Sequence, residues 1–139
     1  MAKKRQEPDA APAVFVVDDE PMLLDLVEEV LGPDFSVKSY RDPRQAMEDY
    51  AVAQPPPAVV ITDYAMGGMN GLEVIRQCRR LHPDQKIILV SGTVDEGVFA
   101  NADVKPDRFL AKPYNAEQLV AAVREMAGTA NAKPGSRQS

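Results

Sequence analysis

The chain has 139 residues, a common length for one domain, and its hydrophobic fraction of 45% is sufficient for one compact core. The net charge of -5 argues against nucleic acid as a partner, since phosphate backbones bind basic surfaces. No stretch approaches the roughly 20 apolar residues of a membrane helix, and the first residues lack the apolar run of a secretory signal. The sequence therefore predicts a cytoplasmic protein that binds neither nucleic acid nor membrane.

Five short apolar runs alternate with helical patterns along the chain. Most of these runs are continuous and β-branched, which is typical of strands covered on both faces. The second run alternates apolar with polar residues, which favours an edge strand. The predicted strands, in chain order, are Val14–Val17, Phe35–Tyr40, Ala58–Ile61, Ile87–Val90 and Arg108–Ala111.

Capping signals mark several of the helices between these strands. Asp42 before a proline predicts one helix start, Asn115 with Gln118 predicts another, and Gly128 predicts the end of the last helix. The predicted helices, in chain order, are Pro21–Leu31, Pro43–Ala53, Leu72–Leu81, a short and poorly patterned one within Asp95–Asn101, and a last one up to Ala127.

Alternating strands and helices indicate an α/β fold, a doubly wound parallel sheet with right-handed crossovers and helices on both faces. We expect one domain over residues 13–128. Residues 1–12 predict a disordered N-terminal tail and residues 129–139 a flexible C-terminal tail.

Cys78 and His82 are the only cysteine and the only histidine in the chain. A single cysteine excludes an intramolecular disulfide, and one histidine excludes histidine-rich metal sites. His82 lies in a Leu-His-Pro-Asp segment, where we expect an exposed, structural residue. Cys78 lies with Val74, Ile75 and Leu81 on the apolar stripe of a helix, which favours a small core residue over a reactive thiol at position 78.

Polar residues follow four of the predicted strands. Asp18 and Asp19 follow the first, Asp63 the third, Ser91 the fourth and Lys112 the fifth. Ligands of open parallel sheets bind beyond the carboxyl ends of the strands, so these side chains are expected in one crevice. Helix capping explains any one of them equally well, but it explains all five together poorly.

Carboxylates in one crevice repel each other, by about 4 kcal/mol for two charges about 4 Å apart at an effective dielectric constant of about 20. A hard divalent cation removes this repulsion, and oxygen ligands favour Mg2+, with Mn2+ as a substitute. Lys112 and the cation could together hold the oxygens of a transferred phosphoryl group. Asp63, in a central strand, is best placed to accept that group, and Ser91 to hydrogen-bond it.

With these residues in place, the chain resembles the receiver domain of bacterial two-component response regulators over about residues 14–127. The resemblance implies a three-layer, five-stranded sheet of order 2-1-3-4-5, the flavodoxin-like or CheY-like arrangement. Four motifs carry it, each at the end of a strand: Val-Val-Asp-Asp-Glu-Pro at 16–21, Asp-Tyr-Ala-Met-Gly-Gly-Met-Asn-Gly at 63–71, Ile-Leu-Val-Ser-Gly at 88–92 and Phe-Leu-Ala-Lys-Pro at 109–113.

The family pattern implies a metal role for four of the matching residues. Asp63 is the phosphoacceptor and a magnesium ligand, Asp19 binds the ion directly and Asp18 largely through water. The main-chain carbonyl of Ala65 is a further ligand. The Ala65 side chain cannot hydrogen-bond the water that attacks the acyl phosphate, so we expect partners to govern dephosphorylation more than this position does.

The pattern also implies the parts of a switch. Ser91 is the switch hydroxyl, Lys112 precedes a cis proline, and Phe109 is an aromatic residue that rotates inward on phosphorylation. Ordinary core packing explains Phe109 at rest equally well. Gly67 and Gly68 depart from the family, which usually has proline at the first position, so the start of the third helix is expected to be more mobile.

The resemblance implies a phosphorylation-dependent signalling switch, not an enzyme, beyond Mg2+-dependent self-phosphorylation from a donor and self-dephosphorylation. A histidine kinase or histidine phosphotransfer protein would supply the phosphoryl group. A downstream protein would dock on the face formed by the short helix, the fifth strand and the last helix, about residues 95–127. We expect a stand-alone receiver without an effector domain.

Other interpretations remain open at this point. A phosphorylation-independent pseudo-receiver usually lacks an acidic or lysine position, and none is lost here. A magnesium phosphohydrolase of the haloacid-dehalogenase type would have an Asp-x-Asp pattern after the first strand, which Asp18-Asp19-Glu20 lacks. A dinucleotide site would need a glycine-rich turn in the same place.

Overall fold

The structure is a computed structural model that describes residues 11–93 and 96–131. The predicted tails lie outside it up to residue 10 and from residue 132 onward. The strands are β1 (Ala13–Val17), β2 (Ser36–Tyr40), β3 (Val59–Asp63), β4 (Lys86–Ser91) and β5 (Arg108–Ala111). The helices are α1 (Pro21–Leu31), α2 (Pro43–Val52), α3 (Gly71–Leu81) and α4 (Ala116–Asn131), with a 3-10 turn at Glu96–Phe99 before β5. No helix in the two described ranges has the length and apolar character of a membrane span.

The five strands form one parallel sheet in the order β2-β1-β3-β4-β5. This order confirms the predicted doubly wound, flavodoxin-like fold, with β2 at an edge. The register pairs Val17 of β1 with Thr62 of β3, and Asp63 of β3 with Val90 of β4. The carboxyl ends of the three central strands therefore finish side by side.

Apolar side chains form a separate core on each face of the sheet. Along β1, Val14 and Val16 belong to one core and Phe15 and Val17 to the other, because successive side chains of a strand point to opposite faces. Helices α1 and α4 cover the first face, and α2 and α3 cover the second. Burial on both faces explains why β1, β3 and β4 are continuous apolar runs.

Both predicted N-terminal caps are confirmed. The Asp42 carboxylate accepts a hydrogen bond from the main-chain N–H of Arg44 at 3.0 Å. Asn115 and Gln118 form a reciprocal pair, in which each side chain accepts from the main-chain N–H of the other at 2.9 and 2.8 Å. The caps satisfy N–H groups that have no partner within the first helical turn.

The helix predicted within residues 95–101 is only the 3-10 turn at Glu96–Phe99. Phe99, which is 3% exposed, anchors it. The residues that follow are held to α3 by an ion pair of 2.7 Å between Arg76 and Asp103. The sequence of this segment has no repeating apolar stripe to bury along a longer helix, and short helices depend on such burial.

Three single-residue expectations were wrong. Gly128 does not end α4, which continues to Asn131, because Gly128 keeps a φ outside the left-handed region. Leu81, predicted on the apolar stripe of α3, is 51% exposed at the last residue of that helix. His82, predicted to be exposed, is half-buried, with its ring 5.5 Å from the ring of Tyr50.

Cys78 is fully buried in the core between α2, α3 and the sheet, as predicted. Burial raises the pKa of its thiol to about 12. Nearby, the Tyr50 hydroxyl donates to Gln85 Oε1 at 2.6 Å, and Gln85 Nε2 donates to the carbonyl of Pro57 at 3.0 Å. These bonds satisfy the polar groups buried near the amino ends of β3 and β4.

Gly71 allows the start of α3 to lie directly against the end of β3. A Cβ atom at this position would lie 2.5 Å from Leu89 Cδ1 and 2.6 Å from the main-chain oxygen of Asp63. Both distances are far inside van der Waals contact. Any side chain at position 71 would therefore displace α3 or the end of the strand that carries Asp63.

We expect Gly71→Ala to lower the free energy of unfolding by about 2 kcal/mol, because main-chain atoms of β3 cannot make room without disturbing the sheet. Gly128→Ala is the matched control. A Cβ there meets nothing within 4 Å, so the better helix propensity of alanine should stabilise the protein by up to about 1 kcal/mol. Urea denaturation followed by circular dichroism measures both, and equal stabilities of the two variants would contradict this assignment.

Candidate functional site

Main-chain hydrogen bonds hold the predicted site residues at one edge of the sheet. The Asp18 N–H donates to the carbonyl of Tyr40 at 3.0 Å, and the Lys112 N–H donates to the carbonyl of Ser91 at 2.8 Å. Asp63 is the last residue of β3, and Ser91 is the last of β4. The residues that the sequence analysis singled out therefore lie next to one another in the fold.

The Lys112 side chain contacts three carboxylates of this edge. Its Nζ lies 3.1 Å from Asp18 Oδ2, 3.3 Å from Asp63 Oδ1 and 3.2 Å from Glu20 Oε1. Sequence analysis placed Asp18, Asp63 and Lys112 in one crevice, and the geometry brings them together. It did not identify Glu20 as a partner, although that residue stands in the same Asp-Asp-Glu-Pro motif.

The Asp18 and Asp63 side chains are almost completely buried, with exposed fractions of 4% and 8%. Desolvation by burial raises the pKa of both carboxyl groups, and the charge of Asp18 raises the pKa of Asp63 further. Main-chain N–H groups of Glu20 and Tyr64 partly oppose this effect by donating to Asp18 and Asp63 at 2.9 and 3.0 Å. The cluster thus holds negative charge at a cost that a cation would relieve.

Lys112 remains a fixed positive charge in this setting. Burial by itself lowers the pKa of the ammonium, but Asp18, Asp63 and Glu20 together raise it above its ordinary value. The site therefore has a permanent cation opposite the acidic groups. The lysine alone cannot balance these acids and an anionic ligand together, so such a ligand would need a further cation in the site.

Asp18, Asp19 and Asp63 form a candidate metal site. Each offers a carboxylate oxygen, and these oxygens lie within 4.8 Å of one another. Asp19 is exposed while the other two are buried, so one side of the group faces solvent. An all-oxygen donor set fits Mg2+ or Mn2+. Ala65, the remaining predicted ligand, is exposed in the loop between β3 and α3.

Ser91, the predicted switch residue, is 2% exposed. Its Oγ accepts a hydrogen bond from the Thr93 N–H at 3.1 Å and lies 3.4 Å from Thr93 Oγ1. Thr93 was not among the predicted site residues. The only feature of the sequence that points to it is a second hydroxyl two residues after the end of β4. Thr93 adds polar contacts beside the site, and the switch role of Ser91 stays a prediction.

An aromatic row, Tyr64–Phe99–Phe109, connects the residue after Asp63 to β5. The rings of Tyr64 and Phe99 are 5.8 Å apart, and those of Phe99 and Phe109 are 5.6 Å apart. Such ring pairs add stability beyond the area that they bury. The half-buried Phe109 therefore packs against Phe99 in this structure, and its predicted inward rotation stays a prediction.

Of the two glycines in the loop between β3 and α3, only Gly68 has a backbone conformation that favours glycine. Gly68 has φ +90, a conformation that favours glycine, whereas a Cβ at Gly67 would meet nothing within 4 Å. The guanidinium of Arg44 lies 3.4 Å from the place of a Cβ at Gly68. The side chain of Asn70 then caps α3 by accepting from the Glu73 N–H at 3.0 Å.

Comparison with known sequences identifies relatives over most of the chain. A family model described as response regulator receiver domain matches residues 14–124. The chain is 36% identical over 122 residues to the C4-dicarboxylate transport transcriptional regulatory protein DctD of Rhizobium meliloti. The aligned region covers 83% of this chain and 25% of that protein. The chain is 34% identical over 117 residues to the DNA-binding response regulator MtrA of Mycolicibacterium smegmatis. That alignment covers 80% of this chain and 48% of MtrA. The chain thus spans less than half of these relatives.

Solved structures share the whole fold. A response regulator receiver protein from Sinorhizobium medicae superposes with a TM-score of 0.75 at 29% identity, over 85% of this chain and 95% of that one. The beryllium fluoride-activated DrrB receiver domain superposes with a TM-score of 0.74 at 26% identity, over 84% of this chain and 97% of that one.

Replacing Asp63 with asparagine is expected to stabilise the protein at neutral pH, because the amide carries no charge that burial would penalise. Because folding raises the pKa of Asp63 above 3.8, stability falls as the pH rises from that value through the pKa of the folded state, and it stays lower beyond. The variant removes this fall.

Thermal denaturation from about pH 3.5 to about pH 7 measures the effect. Glu29→Gln, an exposed position on α1, controls for the loss of one negative charge and should change stability by less than about 0.5 kcal/mol. An Asp63→Asn protein that is less stable than this control at neutral pH would contradict the expectation.

Proposed function

The chain belongs to the response regulator receiver domain family, and from this premise we propose that it is a phosphorylation-dependent signalling switch whose phosphoacceptor is Asp63. One observation carries the proposal. The Lys112 ammonium lies 3.3 Å from the buried Asp63 carboxylate and also contacts Asp18 and Glu20. A nucleophilic carboxylate, a fixed cation and a second acid are thereby held in one crevice.

Asp63 has the properties of a phosphoryl acceptor. Burial raises the pKa of its carboxyl group, and a more basic oxygen is a better nucleophile when it is ionised. The Lys112 charge favours that ionised form. Since the side chain is only 8% exposed, few water molecules compete for the nucleophilic oxygens.

In the proposed step, an Asp63 carboxylate oxygen attacks the phosphorus of a phosphohistidine on a histidine kinase or a histidine phosphotransfer protein. An O–P bond forms as the P–N bond breaks, and the electron pair leaves on the imidazole nitrogen, which takes a proton from water. Lys112 balances charge on the phosphoryl oxygens. Attack of water on the acyl phosphate later releases inorganic phosphate and restores Asp63.

The acidic cluster supports a magnesium-dependent reaction. Asp18, Asp19 and Asp63 would hold Mg2+, with the main-chain carbonyl of Ala65 as a further ligand, and Mn2+ could replace it. When bound, the ion supplies positive charge opposite the phosphoryl oxygens. The close approach of the carboxylate oxygens of this cluster, within 4.8 Å, supports the assignment.

The segment between the ends of β4 and β5 would pass the signal from Asp63 to a partner protein. Ser91 would hydrogen-bond the phosphoryl group, and Phe109 would rotate inward and leave its contact with Phe99. A downstream protein would dock on the surface of the 3-10 turn, β5 and α4. The aromatic row supports this choice, because Phe99 contacts both Tyr64, the residue after Asp63, and Phe109 of β5.

The cellular setting is a further part of the proposal. The matched relatives are much longer than this chain, and one of them is named the sensor kinase CckA of Brucella abortus. Kinase, downstream partner, cytoplasmic location and stand-alone organisation therefore stay predictions. No specific observation favours the pseudo-receiver or the phosphohydrolase interpretation.

We expect acetyl phosphate with Mg2+ to add one phosphoryl group to the wild-type protein and none to Asp63→Asn, because the amide is not a nucleophile for phosphorus. Intact-mass spectrometry measures the adduct. Asp42→Asn, which changes an exposed acid outside the cluster, is the matched control and should accept the group as the wild type does. An adduct that survives in Asp63→Asn would refute Asp63 as the acceptor.

Beryllium fluoride with Mg2+ is expected to shift the amide NMR signals of residues 96–111 and to leave those of α2 nearly unchanged. In Ser91→Ala the adduct should still form at Asp63, but the shift at Phe109 should fall to less than about half, since the hydroxyl that couples the two is absent. Shifts of wild-type size at Phe109 in Ser91→Ala would contradict the proposed coupling.

A further inference from the structure

The three carboxylates around Lys112 differ in how firmly they are held. The Asp18 and Asp63 side chains are 4% and 8% exposed, whereas the Glu20 side chain is 61% exposed. All three lie at similar distances from Nζ, between 3.1 and 3.3 Å. Of these three described neighbours, Glu20 is the one whose carboxylate can return to water without leaving a buried charge unpaired.

A phosphoryl group on Asp63 would take hydrogen bonds from the same ammonium group that these carboxylates contact. Among the residues that the structure describes, the Lys112 ammonium donates to Asp18 at 3.1 Å and to Glu20 at 3.2 Å, and it forms an ion pair with Asp63 at 3.3 Å. Its three N–H bonds are therefore shared between existing acids and any incoming phosphoryl oxygens. Since Asp18 is buried and Asp63 would carry the new group, Glu20 is the described neighbour that can release an N–H bond.

Helix capping does not explain why position 20 carries a glutamate. Glu20 is the N-cap residue of α1, yet its side chain makes no capping hydrogen bond, and serine, threonine, aspartate or asparagine would cap better. Its backbone is fixed independently, because its N–H donates to Asp18 and its carbonyl accepts from Leu23 and Leu24. The side chain is thus free to move while the main chain stays in place.

We propose that Glu20 is a positioning residue that holds Lys112 in the unphosphorylated protein and competes with the incoming phosphoryl group for its ammonium. The inference rests on the proposed function, because it assumes phosphorylation at Asp63. In this role Glu20 affects how readily an anionic phosphoryl donor binds the Lys112 ammonium. It does not contact the atoms between which the phosphoryl group is transferred. Removing the Glu20 charge should therefore lower the donor concentration that gives half-maximal phosphorylation and leave the maximal rate the same.

The test compares phosphorylation rates of wild type, Glu20→Gln and Glu117→Gln over a range of acetyl phosphate concentrations, at saturating Mg2+ for each protein. Glutamine keeps the size of the side chain and removes its charge. Glu117 is an exposed acid in the first turn of α4, and its loss changes the net charge equally. Urea denaturation checks that each variant keeps the stability of the wild type.

We expect the half-saturating acetyl phosphate concentration to fall about threefold in Glu20→Gln, the range of a weak exposed ion pair, with an unchanged maximal rate. Glu117→Gln should behave as the wild type. An equal fall in both variants would show a general charge effect and overturn the inference, as would unchanged or slower kinetics in Glu20→Gln. Absence of any adduct on the wild type would instead overturn the proposed function, and this inference with it.

Discussion

The contacts of the Lys112 ammonium are the constraint on which the carboxyl edge of the sheet depends. Burying Asp18 and Asp63 removes two carboxylates from water, which is strongly unfavourable without a nearby positive charge. Lys112 brings that charge from the end of β5, across β4, to the ends of β1 and β3. Any change in the charge of Asp63 therefore acts directly on the segment that carries the lysine.

This constraint joins the central strands to the connection between β4 and β5. The central strands are buried on both faces, while the regular structure in the described part of that connection is the 3-10 turn at Glu96–Phe99. The row of Tyr64, Phe99 and Phe109 crosses the same boundary through ring contacts. Charge at Lys112 and packing at Phe109 are thus two physical routes from the end of β3 to β5.

Residues such as Asp63 and Lys112 could be placed from the sequence because each ends an apolar run, and parallel strands bring their ends to one edge. The strand order needed the family resemblance, since an apolar run does not specify its neighbour. The contact of Glu20 depends on side-chain conformation, which no motif encodes. Phe99 decides the 3-10 turn through tertiary packing, and at Gly128 the helix continues because a glycine costs only about 1 kcal/mol there.

The buried thiol has a practical consequence for measuring motion in this protein. Cys78 is the only cysteine, and its full burial and pKa of about 12 leave little thiolate for a labelling reagent at neutral pH. Cysteines introduced at the exposed positions Glu48 on α2 and Ala121 on α4 would therefore carry a pair of spin labels without replacing the native residue. The distance between the labels would then report, in solution, any movement of α4 relative to α2 on the opposite face of the sheet.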